Sequence, residues 1–189
     1  FKFENIFNNP NALKGTTNTK SADLIVDHYI EVQSKGFYRN EGTRFFPELG
    51  EEYNSKAWLD INWHGRPSTD KEYTWLTNRF FFLPTLARAY LGTGEGVYAE
   101  EFVKMFLDWY QEEPQGHKEF TWRTIDTAQR LRAMIRVYEA FENSSVFSVD
   151  IKFKYYKSIW EQADYLKTFM KTNGNWGLIE TNGLMWARC

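Results

Sequence analysis

The stretch Thr172-Asn-Gly-Asn-Trp-Gly-Leu-Ile-Glu-Thr-Asn-Gly-Leu-Met-Trp186 decides how the rest of the chain is read. Asn173-Gly174 is a strong turn signal, because Asn tolerates the left-handed backbone and Gly adopts it freely. The turn should stop a helix predicted from about Val149 to Lys171, with Tyr156, Ile159, Trp160, Ala163, Leu166 and Met170 in apolar register. A new helix is predicted from near Trp176, which puts Asn175 at or just before its N-terminus. Unpaired backbone N–H groups and the helix dipole make such an end attractive to anions. Asn175 then has two readings. It is an N-cap whose oxygen accepts from first-turn N–H groups, or it is an uncharged donor to a substrate carboxylate.

Upstream, Asn143-Ser-Ser separates this helix from one that opens within Thr121-Trp-Arg-Thr-Ile-Asp-Thr-Ala-Gln-Arg-Leu-Arg132 and reaches about Glu142, capped by Thr124 or Thr121. Its core stripe is Ile125, Ala128, Leu131, Ile135 and Tyr138, which leaves Arg123 and Arg130 on the rim. A planar guanidinium suits carboxylates and sulfates, although surface salt bridging is the commoner fate of a helical Arg. Residues 71–92 carry Trp75, Leu76, Phe80, Leu83, Leu86, Ala87 and Tyr90 near helical spacing, with Pro84 expected to kink or divide the segment. Gly92-Thr-Gly-Glu-Gly96 ends it. A second helix follows from Val97 to about Glu112, burying Ala99, Phe102, Val103, Phe106, Trp109 and Tyr110 and closed by Pro114 and Gly116.

The first 70 residues read differently. Residues 1–20 are rich in Asn, Thr and Gly and form an irregular lead-in, and Ser21 caps a helix from Ala22 to about Lys35. From Gly36 to Asp70 the glycines and prolines leave room only for a long loop. Loops of that length are uncommon in compact domains unless they have a role or are disordered, and Trp58, Trp63 and their aromatic neighbours argue for order. Trp58-Leu-Asp-Ile-Asn-Trp63-His64-Gly65 either lines a cleft or pins the loop down. The expected organisation is one domain: lead-in, helix and aromatic loop over 1–70, then helical hairpins over 71–189.

Composition narrows the function classes. The 189 residues are 42% hydrophobic and 19% aromatic, enough for a sizeable core, with aromatics to spare for stacking on sugar rings. A net charge of −2 without a long basic run gives no general electrostatic case for nucleic acid. The lone cysteine, Cys189, excludes an internal disulfide framework. No apolar run approaches the ~18 residues that read as a membrane span. His28, His64 and His117 are scattered without metal-ligand spacing, so no metal or cofactor is expected. Each of these histidines reads first as structural or solvated.

With no strand-like alternation the class is all-α, and helix pairs joined by short turns recur roughly every 50 residues, as in stacked hairpins. Because the last helix breaks off soon after it starts, the chain is expected to be part of a longer helical domain. Four blocks, in order, carry a family likeness: Trp75-Leu-Thr-Asn-Arg79 with Leu86-Ala-Arg-Ala-Tyr90; Thr93-Gly-Glu-Gly-Val-Tyr98-Ala99 through Asp108-Trp109; Trp122-Arg-Thr-Ile-Asp-Thr-Ala-Gln-Arg130; and Asn175-Trp176-Gly177-Leu-Ile-Glu180-Thr-Asn-Gly183-Leu184. Over roughly residues 58 to 186 the sequence resembles the N-terminal helical domain of heparinase II/III-like polysaccharide lyases. The resemblance implies an incomplete (α/α) toroid, followed by a β-sandwich domain. It implies that Asn175 matches the Asn that holds a uronate carboxylate, and that the catalytic Tyr and His come from a missing C-terminal part of the same protein. Many relatives follow that Asn with His, whereas this chain has Trp176, which is suited to stacking on a sugar.

The implied chemistry is β-elimination in a uronate-containing acidic polysaccharide, met in the periplasm or outside the cell. A base removes the C5 proton and the C4 oxygen leaves. Asn175 is the candidate catalytic residue, and Trp176, Arg79, Trp122, Arg123, Arg130 and Glu180 are the candidate substrate groove. Two other readings stand beside it. One is a carbohydrate-binding or scaffold module without chemistry. The other is a helical glycoside hydrolase, which needs two carboxylates about 5 to 9.5 Å apart, taken from Glu180 with Asp60 or Asp126.

Overall fold

The computed structural model describes residues 13–26, 63, 71–112 and 121–187. Every regular element in them is helical: α1 (Lys20–Val26), α2 (Glu72–Thr77), α3 (Leu83–Thr93), α4 (Gly96–Glu112), α5 (Thr124–Phe141), α6 (Val149–Phe169) and α7 (Gly174–Ala187). The class is all-α.

Local chemistry sets the boundaries. Pro84 divides the predicted long helix, and it sits in the first turn of α3, where a missing N–H costs no helical bond. In the turn between α2 and α3, Phe80 takes φ = 58° and is held there by its ring, which packs against Trp63, Phe82 and Trp109. Gly94, at φ = 74°, ends α3 with its N–H donated to Tyr90 O at 2.8 Å. Neither Thr121 nor Thr124 caps α5. Arg123 occupies the cap position without a side-chain capping bond, and the Thr124 hydroxyl is donated to Glu180 instead. Helix α6 is capped by Ser148, which accepts from Ile151 N. It ends at Phe169, short of Lys171, because Met170 is extended at ψ = 150°. Helix α1 starts earlier than predicted, and Ser21 lies inside it. Thr19 donates its hydroxyl to Asp23 at 2.8 Å and its carbonyl accepts from Ala22 and Asp23. The predicted extension to Lys35, His28, and the Gly36–Asp70 loop apart from Trp63 lie outside the described residues.

Helices α3, α5 and α7 form one parallel layer. Arg79 meets Asp126 and Tyr90 meets Phe141, while Thr124 meets Glu180, Ala128 meets Gly183 and Arg132 meets Trp186, so positions advance together along each pair. Helices α4 and α6 each run back along their partners as the second layer, which gives the hairpins of an incomplete (α/α) toroid. Among the described residues, a cluster of aromatics fills the space between layers. Phe102 stacks on Phe141 at 4.2 Å, with Phe147 and Tyr155 edge-on to Phe102. Such pairs contribute about 0.5–1.5 kcal/mol each beyond area burial. Along α6 the predicted register is partly wrong: Trp160 is 61% exposed. The inward face instead carries Tyr155, Ser158, Ile159, Gln162, Ala163 and Leu166, two of them polar, because Gln162 serves a buried arginine.

Candidate functional site

The N-terminal ends of α5 and α7 and the turn before α3 meet at one end of the parallel layer. Three features of sequence bring them there. Gly183 lets α7 lie directly on α5, since a Cβ on it would come within 2.6 Å of Ala128 O. Gly177 lets the start of α7 close onto the end of the preceding turn, where a Cβ would lie 2.9 Å from Lys171 O. Gly174, at φ = 70°, makes the left-handed turn that the Asn173-Gly174 pair predicted.

Asn175 lies in the first turn of α7 and is exposed, and its side chain makes no hydrogen bond among the described residues. The N-cap reading does not hold: helix α7 begins one residue before Asn175, so its amide is past the cap position and points to solvent. Beside it, Trp176 is half-buried and flanked by two cations. Lys171 Nζ lies 3.9 Å from the ring centroid and the Arg123 guanidinium 5.3 Å from it. The same guanidinium lies 3.4 Å over Trp75.

Asp126 fixes that arginine. Arg123 Nε donates to Asp126 Oδ2 at 2.6 Å and its second nitrogen donates to Oδ1 at 3.0 Å. Arg79 Nε donates to the same Oδ1 at 2.6 Å. Two guanidinium groups thus share one fully buried carboxylate. Arg123 retains partial exposure towards Trp176, whereas Arg79 is 4% exposed and lies behind it.

Glu180 is fully buried and occupied on both oxygens, accepting from Thr124 Oγ1 at 2.6 Å and from Lys171 N at 2.5 Å. The nearby Tyr165 hydroxyl is pushed above its ordinary pKa by burial first and by the Glu180 charge second.

Arg130 is not on the rim. It is 0% exposed, between the rings of Trp109 and Trp122 at 4.5 and 5.5 Å, and it donates to Gln162 Oε1, Asn78 O and Thr121 O at 2.8 to 3.0 Å. Its place on the inward face of α5 follows from those acceptors, which make an interior position tolerable for a charge. Trp122 is 2% exposed and meets Tyr165 edge-on, so its ring is a wall rather than an open platform. The structure therefore brings Asn175, Trp176 and Arg123 to the surface together and sets Arg79, Glu180, Arg130 and Trp122 beneath or behind them. Lys171, Trp75 and Thr124 belong to the same cluster and were not singled out as site residues from sequence, and Asp126, which also belongs to it, was considered only as a hydrolytic carboxylate. Asp126, three residues after Arg123 on a helix, carried a readable signal. Lys171 across a turn from Trp176 carried none.

For a pair of hydrolytic carboxylates the arrangement offers little. Asp126 and Glu180 both face inward on occupied oxygens, and Asp60 lies outside the described residues, as do His64 and His117. Among the described residues no group of three His, Cys, Asp or Glu side chains gathers as a metal site, and no helix is long and apolar enough to cross a membrane.

Comparison with known proteins places this geometry. Residues 7–188 match the family model described as Heparinase II/III N-terminus. A heparin-sulfate lyase of Pedobacter heparinus is 31% identical over 148 residues, covering 76% of this chain and 22% of that protein. A second heparin-sulfate lyase, from Bacteroides thetaiotaomicron, is 24% identical over 174 residues, 89% of this chain and 24% of that protein. The crystal structure of the heparan sulfate lyase HepC from Pedobacter heparinus superposes with a TM-score of 0.71 at 26% identity, covering 89% of this chain and 25% of that one. This chain thus spans about a quarter of the length of the relatives it matches. The four motif blocks, the parallel helical layer and the match over nearly all of the sequence agree: the chain belongs to the heparinase II/III N-terminal family.

Proposed function

We propose that the chain is the N-terminal part of a polysaccharide lyase that cleaves a uronate-containing polysaccharide by β-elimination, with Asn175 holding the uronate carboxylate. The observation that carries this reading is the Asn175 amide, exposed and uncommitted in the first turn of α7, beside a ring flanked by Lys171 and Arg123. Removing a C5 proton places negative charge next to a carboxylate that is already negative. An amide donor together with the N–H groups of a helix end takes up that charge without adding a group that itself ionises.

Trp176, half-buried between Lys171 and Arg123, contributes apolar surface beside a sugar ring, and Arg123, oriented by Asp126, faces an anionic substituent. Arg79, Trp122, Arg130 and Glu180 act from behind this surface by holding it in shape. The general base and acid, a Tyr and a His by family likeness, are assigned to the remainder of the longer protein. An acidic polysaccharide substrate in turn assigns the protein to the periplasm or the extracellular space.

The test compares a uronate polysaccharide with the same polymer after its carboxyl groups have been reduced to alcohols, using the longer protein. Unsaturated product from the first and none from the second is expected. Retention of the native polymer with no product from either would favour the binding-module reading and reject the lyase.

A further inference from the structure

We infer that Glu180 is the positioning residue of this site, a buried clamp that fixes the Asn175 turn against α5; the inference rests on the reading of Asn175 as the carboxylate ligand. Helix α6 makes its last backbone bond from Met170 N to Leu166 O, so the next N–H, that of Lys171, has no helical acceptor. Glu180 supplies one at 2.5 Å, reaching back from the second turn of α7. Its other oxygen takes the Thr124 hydroxyl at 2.6 Å, in the first turn of α5. One side chain therefore ties the exit of α6, the start of α7 and the start of α5 into a single unit.

Asn175 lies on the short path between the two ends of this clamp, residues 171 and 180. The Lys171 that flanks Trp176 is the residue whose backbone Glu180 holds. A carboxylate removed from water is tolerated only when its lone pairs are occupied, and here both oxygens are occupied by groups that define the site. Gly177, packed against Lys171 O, closes the same turn from the other side. Glu180 itself is 0% exposed and has no path to a polysaccharide.

The test uses the longer active protein, with kcat and KM on a uronate polysaccharide measured well below the unfolding midpoint of every variant. Glu180→Ala is expected to lower kcat/KM by about 10²-fold, the order that a small misplacement of a reacting group costs, chiefly in kcat. Glu180→Gln should recover most of that loss, since its amide oxygen accepts from Lys171 N while its NH₂ donates to Thr124. Because the clamp acts through Asn175, the losses of Glu180→Ala and Asn175→Ala should not add in the double variant. Full activity of Glu180→Ala, or additive losses, would overturn the inference while leaving Asn175 in its role. Full activity of Asn175→Ala would instead remove the reading beneath it, and the inference with it. If Glu180→Ala does not fold, Thr124→Val combined with Asn175→Ala carries the same test, with non-additive losses expected and additive ones decisive against.

Discussion

Arg79 Nε donates to Asp126 Oδ1 at 2.6 Å, with side-chain exposures of 5% and 0%, joining the turn before α3 to the first turn of α5. Because Asp126 also orients Arg123, this buried contact sets both the packing of the parallel layer and the cation beside Trp176. Breaking a buried ion pair by removing one partner costs about 3–5 kcal/mol. Asp126→Ala is predicted to lower unfolding stability by that order in a denaturant titration. The loss should exceed that of Lys157→Ala, whose ion pair with Glu161 is half exposed.

Gly183 is predicted to tolerate no side chain. A Cβ there would sit 2.6 Å from Ala128 O and 2.8 Å from Ala128 Cα, backbone atoms that cannot swing away. Overpacking of this kind costs about 1–3 kcal/mol. Gly183→Ala should therefore lower the thermal midpoint, whereas Gly96→Ala, whose Cβ would meet only the far end of Glu100 at 3.8 Å, should leave it nearly unchanged.

Alkaline pH is predicted to destabilise the domain through Tyr155. Its hydroxyl donates to Met134 O at 2.8 Å, and burial first, then Tyr138, pushes its pKa well above the ordinary value. A folded pKa above the unfolded one means that the stability contribution is fully present below the ordinary tyrosine value of about 10 and is lost as pH rises through the folded value. Unfolding free energy should fall by up to about 1.4 kcal/mol per pH unit for this group between the ordinary value of about 10 and the raised folded value. Tyr155→Phe should lose about 1 kcal/mol near neutrality with its hydrogen bond, and its stability should fall less steeply at high pH.

Much of the fold was legible because its signals are local. Pro84 divided a helix, Gly94 and Gly174 took the left-handed conformations that their turns require, and the stripes of α4 and α5 are buried as read except for Tyr110, which is half-buried. The errors occurred where a polar residue faces inward. Arg130 was placed on the rim because charge usually seeks water, yet Asn78 O, Thr121 O and Gln162 make the interior acceptable to it. Trp160 was placed in the core because Gln162 and Ser158, which hold the inward face, do not look apolar. Of the site, Asn175 and Trp176 were visible as residues of a turn, whereas the burial of Glu180 depends on contacts across 56 and 9 positions that no periodicity encodes.

The most direct measurement is the turnover of a uronate polysaccharide by the longer active protein carrying Asn175→Ala. Loss of one preorganised donor should lower kcat by about 10²–10³-fold, or about 2.7–4 kcal/mol, while the polymer is still retained and the thermal midpoint is unchanged. Turnover equal to that of the parent protein would contradict the role given to the exposed amide at the start of α7.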